Sequence, residues 1–214
     1  SEESIKGKFS LSNPNYKNSD KSVYTNIQSS ETDRLEDFGY KTNKTGFTLG
    51  TQFEYYDDFY FGVGINSYYE SIETDSTASS QQKKLKGNYF DNFINLNFDY
   101  DKRNQKFQPS QGFRNYFSTD LPIVSETNTL ANTFITTNYF EYLDSNILKS
   151  SFYFRNSNSI TGDNIKLSER LYLPSNRLRG FESGKVGPKD GNDFIGGNYI
   201  ASLNFSSNVP KLLE

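Results

Sequence analysis

Arg179 stands between Leu178 and the pair Gly180-Phe181, inside a run, LRGFESGKVGPKDGNDFIGGN (178–198), that holds six glycines and a proline. Gly180 permits a turn that a side chain would forbid. Two readings stand open on these residues. Arg179 is an ordinary cation on an exposed loop, or the loop folds back inside the molecule and Arg179 is pinned there. In the second case the charge must meet a carboxylate or an aromatic face, because a confined, partly dry interior does not tolerate an unpaired guanidinium.

The other groups able to do chemistry are few. The paired acids are Asp57 with Asp58, Asp99 with Asp101, and Asp190 with Asp193. Asp57-Asp58 reads as a turn, where Asp bonds its own backbone. Asp99 and Asp101 share one strand face, but no third ligand or shaping loop makes a calcium site. Lys83, Lys84 and Lys86 form a small basic group in a polar loop; contact with lipopolysaccharide phosphates is the sharper reading and a solvated charge run the plainer one. Gly196, Gly197 and Asn198 lack the strand–loop–helix setting of a phosphate cradle, and glycine in a strand marks a bulge or a close backbone approach.

Composition removes whole classes. The 214 residues contain no His, Cys, Met or Trp. That excludes imidazole catalysis, His-ligated zinc, thiolate sites and disulfides, and no metal or other cofactor is expected. The missing Met leads us to expect a mature or excised segment. No leader and no apolar run of membrane-helix length is evident, which leaves a β-barrel open. Net charge is −3, so no basic field draws nucleic acid. Mean hydropathy is −0.78, yet aromatics reach 16% of the chain, more than a disordered segment carries.

The elements that must position these groups are strands. From Phe59 to Tyr69, Phe59, Phe61, Val63 and Ile65 alternate with Gly62, Gly64 and Asn66. Phe90, Ile94, Leu96, Phe98 and Tyr100 alternate with Asp91, Asn95, Asn97 and Asp99, and similar ribbons run through 113–123 and 195–205. Period-two alternation of this kind is half-buried antiparallel strand. Strands are expected at 4–12, 20–31, 38–53, 58–71, 87–101, 111–122, 129–143, 146–158 and 193–207, with a loop over 159–192. No helical stripe is expected. Connections alternate short (13–19, 54–57, 102–110, 144–145) with long (32–37, 72–86, 123–128, 159–192), as in outer-membrane barrels. The polar face is Asn, Ser, Thr, Tyr and Gly, suited to a wet lumen. The expected fold is an all-β, antiparallel transmembrane barrel, present here in part.

Three motifs then carry a resemblance. LRGFESGKVGPKDGNDFIGGN resembles the sixth loop of the BamA family of outer-membrane β-barrel assembly factors, with its RGF tip and later GGN. FDYDKRNQKFQPSQGF (98–113) is similar to the family's periplasmic turn, through Tyr100, Asp101, Arg103, Phe107, Pro109 and Gly112. FSLSNPNY (9–16) is similar to a family strand ending in a Ser/Thr-x-Pro turn. The resemblance implies a sixteen-stranded barrel preceded by POTRA domains, with these nine strands as the fourth to twelfth. It implies a lumen latch at Arg179, Gly180 and Phe181, supported by Gly196, Gly197, Asn198 and Asn204. Asn204 stands where the family commonly has a glutamate, so a carboxylate from the following strand, or Asp193, is the expected partner of Arg179. It also implies no enzymatic activity, a bacterial outer-membrane location, and lipids, nascent barrel clients and accessory lipoproteins as partners. The alternatives are a two-partner secretion or TamA-like transporter of the same superfamily, or a surface β-protein acting as an adhesin.

Overall fold

The computed structural model describes residues 2–35, 39–142, 146–182, 184–191 and 193–208. Eight long strands follow one another in sequence: β1 (Glu2–Asn13), β2 (Lys21–Arg34), β3 (Tyr40–Tyr56), β4 (Phe59–Thr74), β5 (Gly87–Asp101), β6 (Gly112–Val124), β7 (Thr129–Tyr142) and β8 (Asn146–Ser159). Two short strands, β9 (Lys189–Asp190) and β10 (Asp193–Phe194), pair with each other, and β11 (Tyr199–Ser207) then pairs with β8. All pairings are antiparallel and the order is β1-β2-β3-β4-β5-β6-β7-β8-β11, an open sheet with β1 and β11 at its ends. Sequential neighbours pair because short turns can join only antiparallel strands. Among the described residues no helix is long and apolar enough to cross a membrane.

Alternation gives the sheet two chemically opposite faces. Direct pairing aligns Phe53, Phe61, Phe98, Phe117, Phe134 and Phe154 across β3 to β8 on one face. Rings of the first four approach edge-on or tilted at 5.1–6.1 Å, a spacing at which aromatic pairs attract beyond their burial. Phe9, Ile27, Phe47, Leu49, Ile65, Leu121, Leu203 and Phe205 share that face and lie exposed. An apolar exposed face this large requires a cover, and hydrocarbon supplies one. The opposite face carries Asn66, Asn95, Asn97, Asp99, Arg114 and Asp120, cross-linked by hydrogen bonds such as Asn95 to Asp120 (2.8 Å) and the bidentate Arg114–Asp99 pair.

Two local features depart from the sequence expectations. The ninth long strand begins at Tyr199, not 193, because Asp193 and Phe194 turn back on β9 and Gly196 adopts φ +70°. The 72–86 connection contains a short helix, Ser80–Lys84, started by Ser79 and Gln82 in a reciprocal cap. The expected connection at 144–145 lies outside the described residues.

Candidate functional site

The polar face is covered, over part of its area, by the chain between β8 and β11. This segment crosses back over the sheet and is fastened at two ends. At the first, Ile165, Lys166, Leu167 and Leu171 are buried. Leu167 packs with Tyr40 of β3 and Ile72 of β4, flanked by Leu85, Tyr89 and Phe194. This is a small dry core between the strands and the segment.

Lys166 lies at its centre, about 1% exposed. Its ammonium contacts the carboxylates of Asp91 on β5, Glu70 on β4 (3.2 Å) and Glu169 (3.4 Å), and stands 5.3 Å from the Tyr89 ring centre. Tyr68 pairs with Asp91 and Glu70 with Tyr89, so the two wall acids are diagonal neighbours on adjacent strands. Further donors complete the cage: Ser125 to Asp91 (2.6 Å), Ser168 to Glu70 (2.8 Å) and buried Thr129 to Glu169 (2.7 Å). Burial opposes the charge on Lys166, but Glu169, Glu70 and Asp91 outweigh it and hold the ammonium above the ordinary lysine value of 10.5. Sequence reasoning missed this centre. Glu70 and Asp91 were legible as inward acids by alternation with Gly62, Gly64, Asn95 and Asn97; nothing in the sequence joins Lys166 to them.

Between the two ends, the Gly196-Gly197-Asn198 stretch ties the segment to the wall. Leu171 and Gly197 exchange backbone hydrogen bonds at 2.8 and 2.9 Å. A Cβ on Gly196 would meet Arg170 and the Tyr172 ring at 3.0 Å, in a backbone conformation that side chains rarely adopt. Asn198 accepts from Arg170 (2.7 Å), and its carbonyl accepts from the Ser157 amide of β8 (2.9 Å).

The second end is wetter. Arg177 donates to Ser151 of β8 at 2.9 Å and its guanidinium stands 4.9 Å over the Tyr153 ring. Asn204 of β11 donates to the Arg177 carbonyl at 2.8 Å. Arg177 and Asn204 therefore fasten this end, and no sequence signal distinguished Arg177 from its neighbours. Arg179 is exposed and lines, with Arg177, Lys149 and Asn204, a cavity of about 650 Å³. Among the described residues its side chain has no hydrogen bond or ion pair. Gly180 takes φ +83° and Phe181 is exposed. The side chain of Asp193, one expected partner of Arg179, lies outside the described residues.

The expected turn motif closes β5 and β6. Arg103 forks onto Asp101 at 2.7 and 2.6 Å, and Tyr100 packs edge-on against Phe113. Gly112 has φ +95°, and a Cβ there would stand 2.1 Å from the Lys102 carbonyl oxygen. Phe107 projects from the turn, 78% exposed. Asp58 joins this turn through Lys102 at 2.7 Å, while Lys83 donates to the Ser76 carbonyl. No group of three or more acids, cysteines or histidines among the described residues is arranged to hold a metal ion.

Residues 1–213 match the family described as the Omp85 superfamily domain. No curated protein sequence matches the chain. Among solved structures, the fold is similar to that of BamA from Haemophilus ducreyi lacking POTRA domains 1–3, with a TM-score of 0.79 at 16% identity. That likeness covers 97% of this chain and 46% of the other, so the chain spans about half the length of that protein.

Proposed function

The chain belongs to the Omp85 superfamily, and on that premise we propose that it is barrel wall and lumen loop of an outer-membrane assembly factor. The protein inserts and folds β-barrel clients in the bacterial outer membrane, with accessory lipoproteins as helpers and no catalytic step. One observation carries this reading: a nine-stranded antiparallel sheet with an apolar exposed outer face holds a fastened segment against its polar inner face. Unpaired strand edges are costly in lipid, so a barrel that offers an edge to a client strand lowers the barrier to its insertion. The wall and its braced segment supply the rigid frame for that exchange.

In this reading Arg179, Gly180 and Phe181 form the latch tip. Arg179 stands uncommitted at a basic cavity beside Lys149 and Arg177, and a carboxylate from the strands that complete the barrel is its partner. Arg179→Ala in the full-length protein then frees the loop tip to protease and lowers the heat resistance of the folded barrel on semi-native gels. An unchanged melting profile with a protected tip contradicts the latch.

The assembly role is tested by full-length protein in liposomes given several unrelated, denatured barrel clients. Accelerated folding of most of them is expected. Export of a single soluble partner with no client folding identifies a two-partner secretion transporter instead. Recovery of the full-length protein in the soluble fraction without detergent overturns the membrane reading altogether.

A further inference from the structure

We propose that Lys44 is a second cation for Glu70, taking over this carboxylate whenever Lys166 is withdrawn. Lys44 and Glu70 are directly opposed in the β3–β4 register, on the inner face. Directly opposed side chains start about 5 Å apart at Cβ, within easy reach of a lysine. Both line one cavity of about 210 Å³, with Ser30, Thr42, Ser168 and Arg170. Yet the two do not pair here. The Lys44 ammonium stands 4.2 Å over the Tyr68 ring, and Glu70 spends one oxygen on Lys166 (3.2 Å) and Ser168 (2.8 Å). The other oxygen, Oε1, is buried with no hydrogen-bond partner.

A buried carboxylate with one oxygen committed and one empty is half-used, and the cation to complete it waits across the same cavity. The cavity therefore contains its own complementary charge and calls for no foreign ligand. The pairings of β3, β4 and β5 run strand to strand without the segment, so a state in which it is lifted still sets Lys44 opposite Glu70. In that state Glu70 and Asp91 have lost their shared ammonium, and Lys44 is the lysine that the register places on Glu70. Its contact with Tyr68 is of the modest strength of a cation over an aromatic ring at a half-open site, so leaving it is easy. The segment and β3 thus exchange one carboxylate: Glu70 keeps a cation with the segment lifted or seated, while Asp91 keeps one only when it is seated.

Zero-length carbodiimide coupling, read by mass spectrometry on the full-length protein in detergent, tests this directly. It links only lysines and carboxylates in contact. The seated protein should give links from Lys166 to Glu70, Asp91 or Glu169. Two variants unseat the segment: Lys166→Met removes the cation, and Leu167→Asn spoils the apolar seat while leaving both lysines. In each, the Lys44–Glu70 link should rise at least about tenfold, the scale of a population shift from minor to major state, and Glu70→Gln should abolish it. A link that is absent or unchanged in folded Leu167→Asn protein overturns the proposal, whether or not Lys166→Met folds. The readout involves no client, so it fails or succeeds separately from the assembly role.

Discussion

The two ends of the lumen segment hold the same chain by different physics. At Lys166 the fastening is dry: an ammonium about 1% exposed, caged by Asp91, Glu70 and Glu169 above a core of Leu167, Tyr40 and Ile72. At Arg177 it is wet: one hydrogen bond to Ser151, a ring beneath the guanidinium and a carbonyl held by Asn204. Removing one partner from a dry ion cluster leaves uncompensated charge, whereas water replaces what is lost at a wet one. The difference assigns roles: the tighter root at Lys166 and an adjustable tip beyond Arg177.

The largest expected effect follows at the root. Lys166→Met should cost about 3–5 kcal/mol, the range for stripping a partner from a buried ion pair, seen as loss of hydrogen-exchange protection over 165–171. The pH dependence has a definite sign. Because the folded value of Lys166 is raised, its contribution is fully present below 10.5 and fades only as pH climbs through the folded value. Root protection should therefore be flat from neutral pH to about 10; a loss already near pH 8 would show that the cage is not what holds the segment.

Gly196→Ala comes next. The added methyl meets Arg170 and Tyr172 at 3.0 Å in a left-handed backbone, for an expected loss of about 1–3 kcal/mol, measured as a lowered urea midpoint for release of the segment. Arg177→Ala should cost about 1 kcal/mol, from one hydrogen bond and one cation–ring contact, with faster exchange at 175–178 and none at 165–171. Smallest at the root is Arg179→Ala. Its effect on exchange over 165–171 should stay within about 0.5 kcal/mol, however strongly it frees the tip. A root that loosens with Arg179 would merge the two ends into one cooperative lock.

The strands were legible because alternation at period two is a local property: Phe59 to Ile65 and Phe90 to Tyr100 name their faces without help from the rest of the chain. The turn around Asp101, Arg103 and Gly112 entered through its family resemblance, and the structure supplies a local reason for those residue types: a fork onto a carboxylate two residues away and a positive φ. The helix at Ser80–Lys84 was also written locally, in the spacing of Ser79 and Gln82, but its five residues are too short to show a stripe. The root was not legible. Lys166 meets Asp91 across 75 positions of sequence, and a single lysine in a polar loop carries no mark of its partner. Arg177 was not legible either, because the glycine beside Arg179 singles that residue out and nothing singles out Arg177.

Which face of the sheet meets lipid decides everything else about the molecule. Spin labels at Phe117 and Leu121 on one face of β6, and at Tyr116 and Ser118 on the other, in full-length protein reconstituted in vesicles, test the assignment directly. Collisional relaxation by oxygen should dominate at Phe117 and Leu121, and relaxation by a water-soluble nickel chelate at Tyr116 and Ser118. The reverse pattern, or equal exposure of both pairs to the chelate, would contradict it.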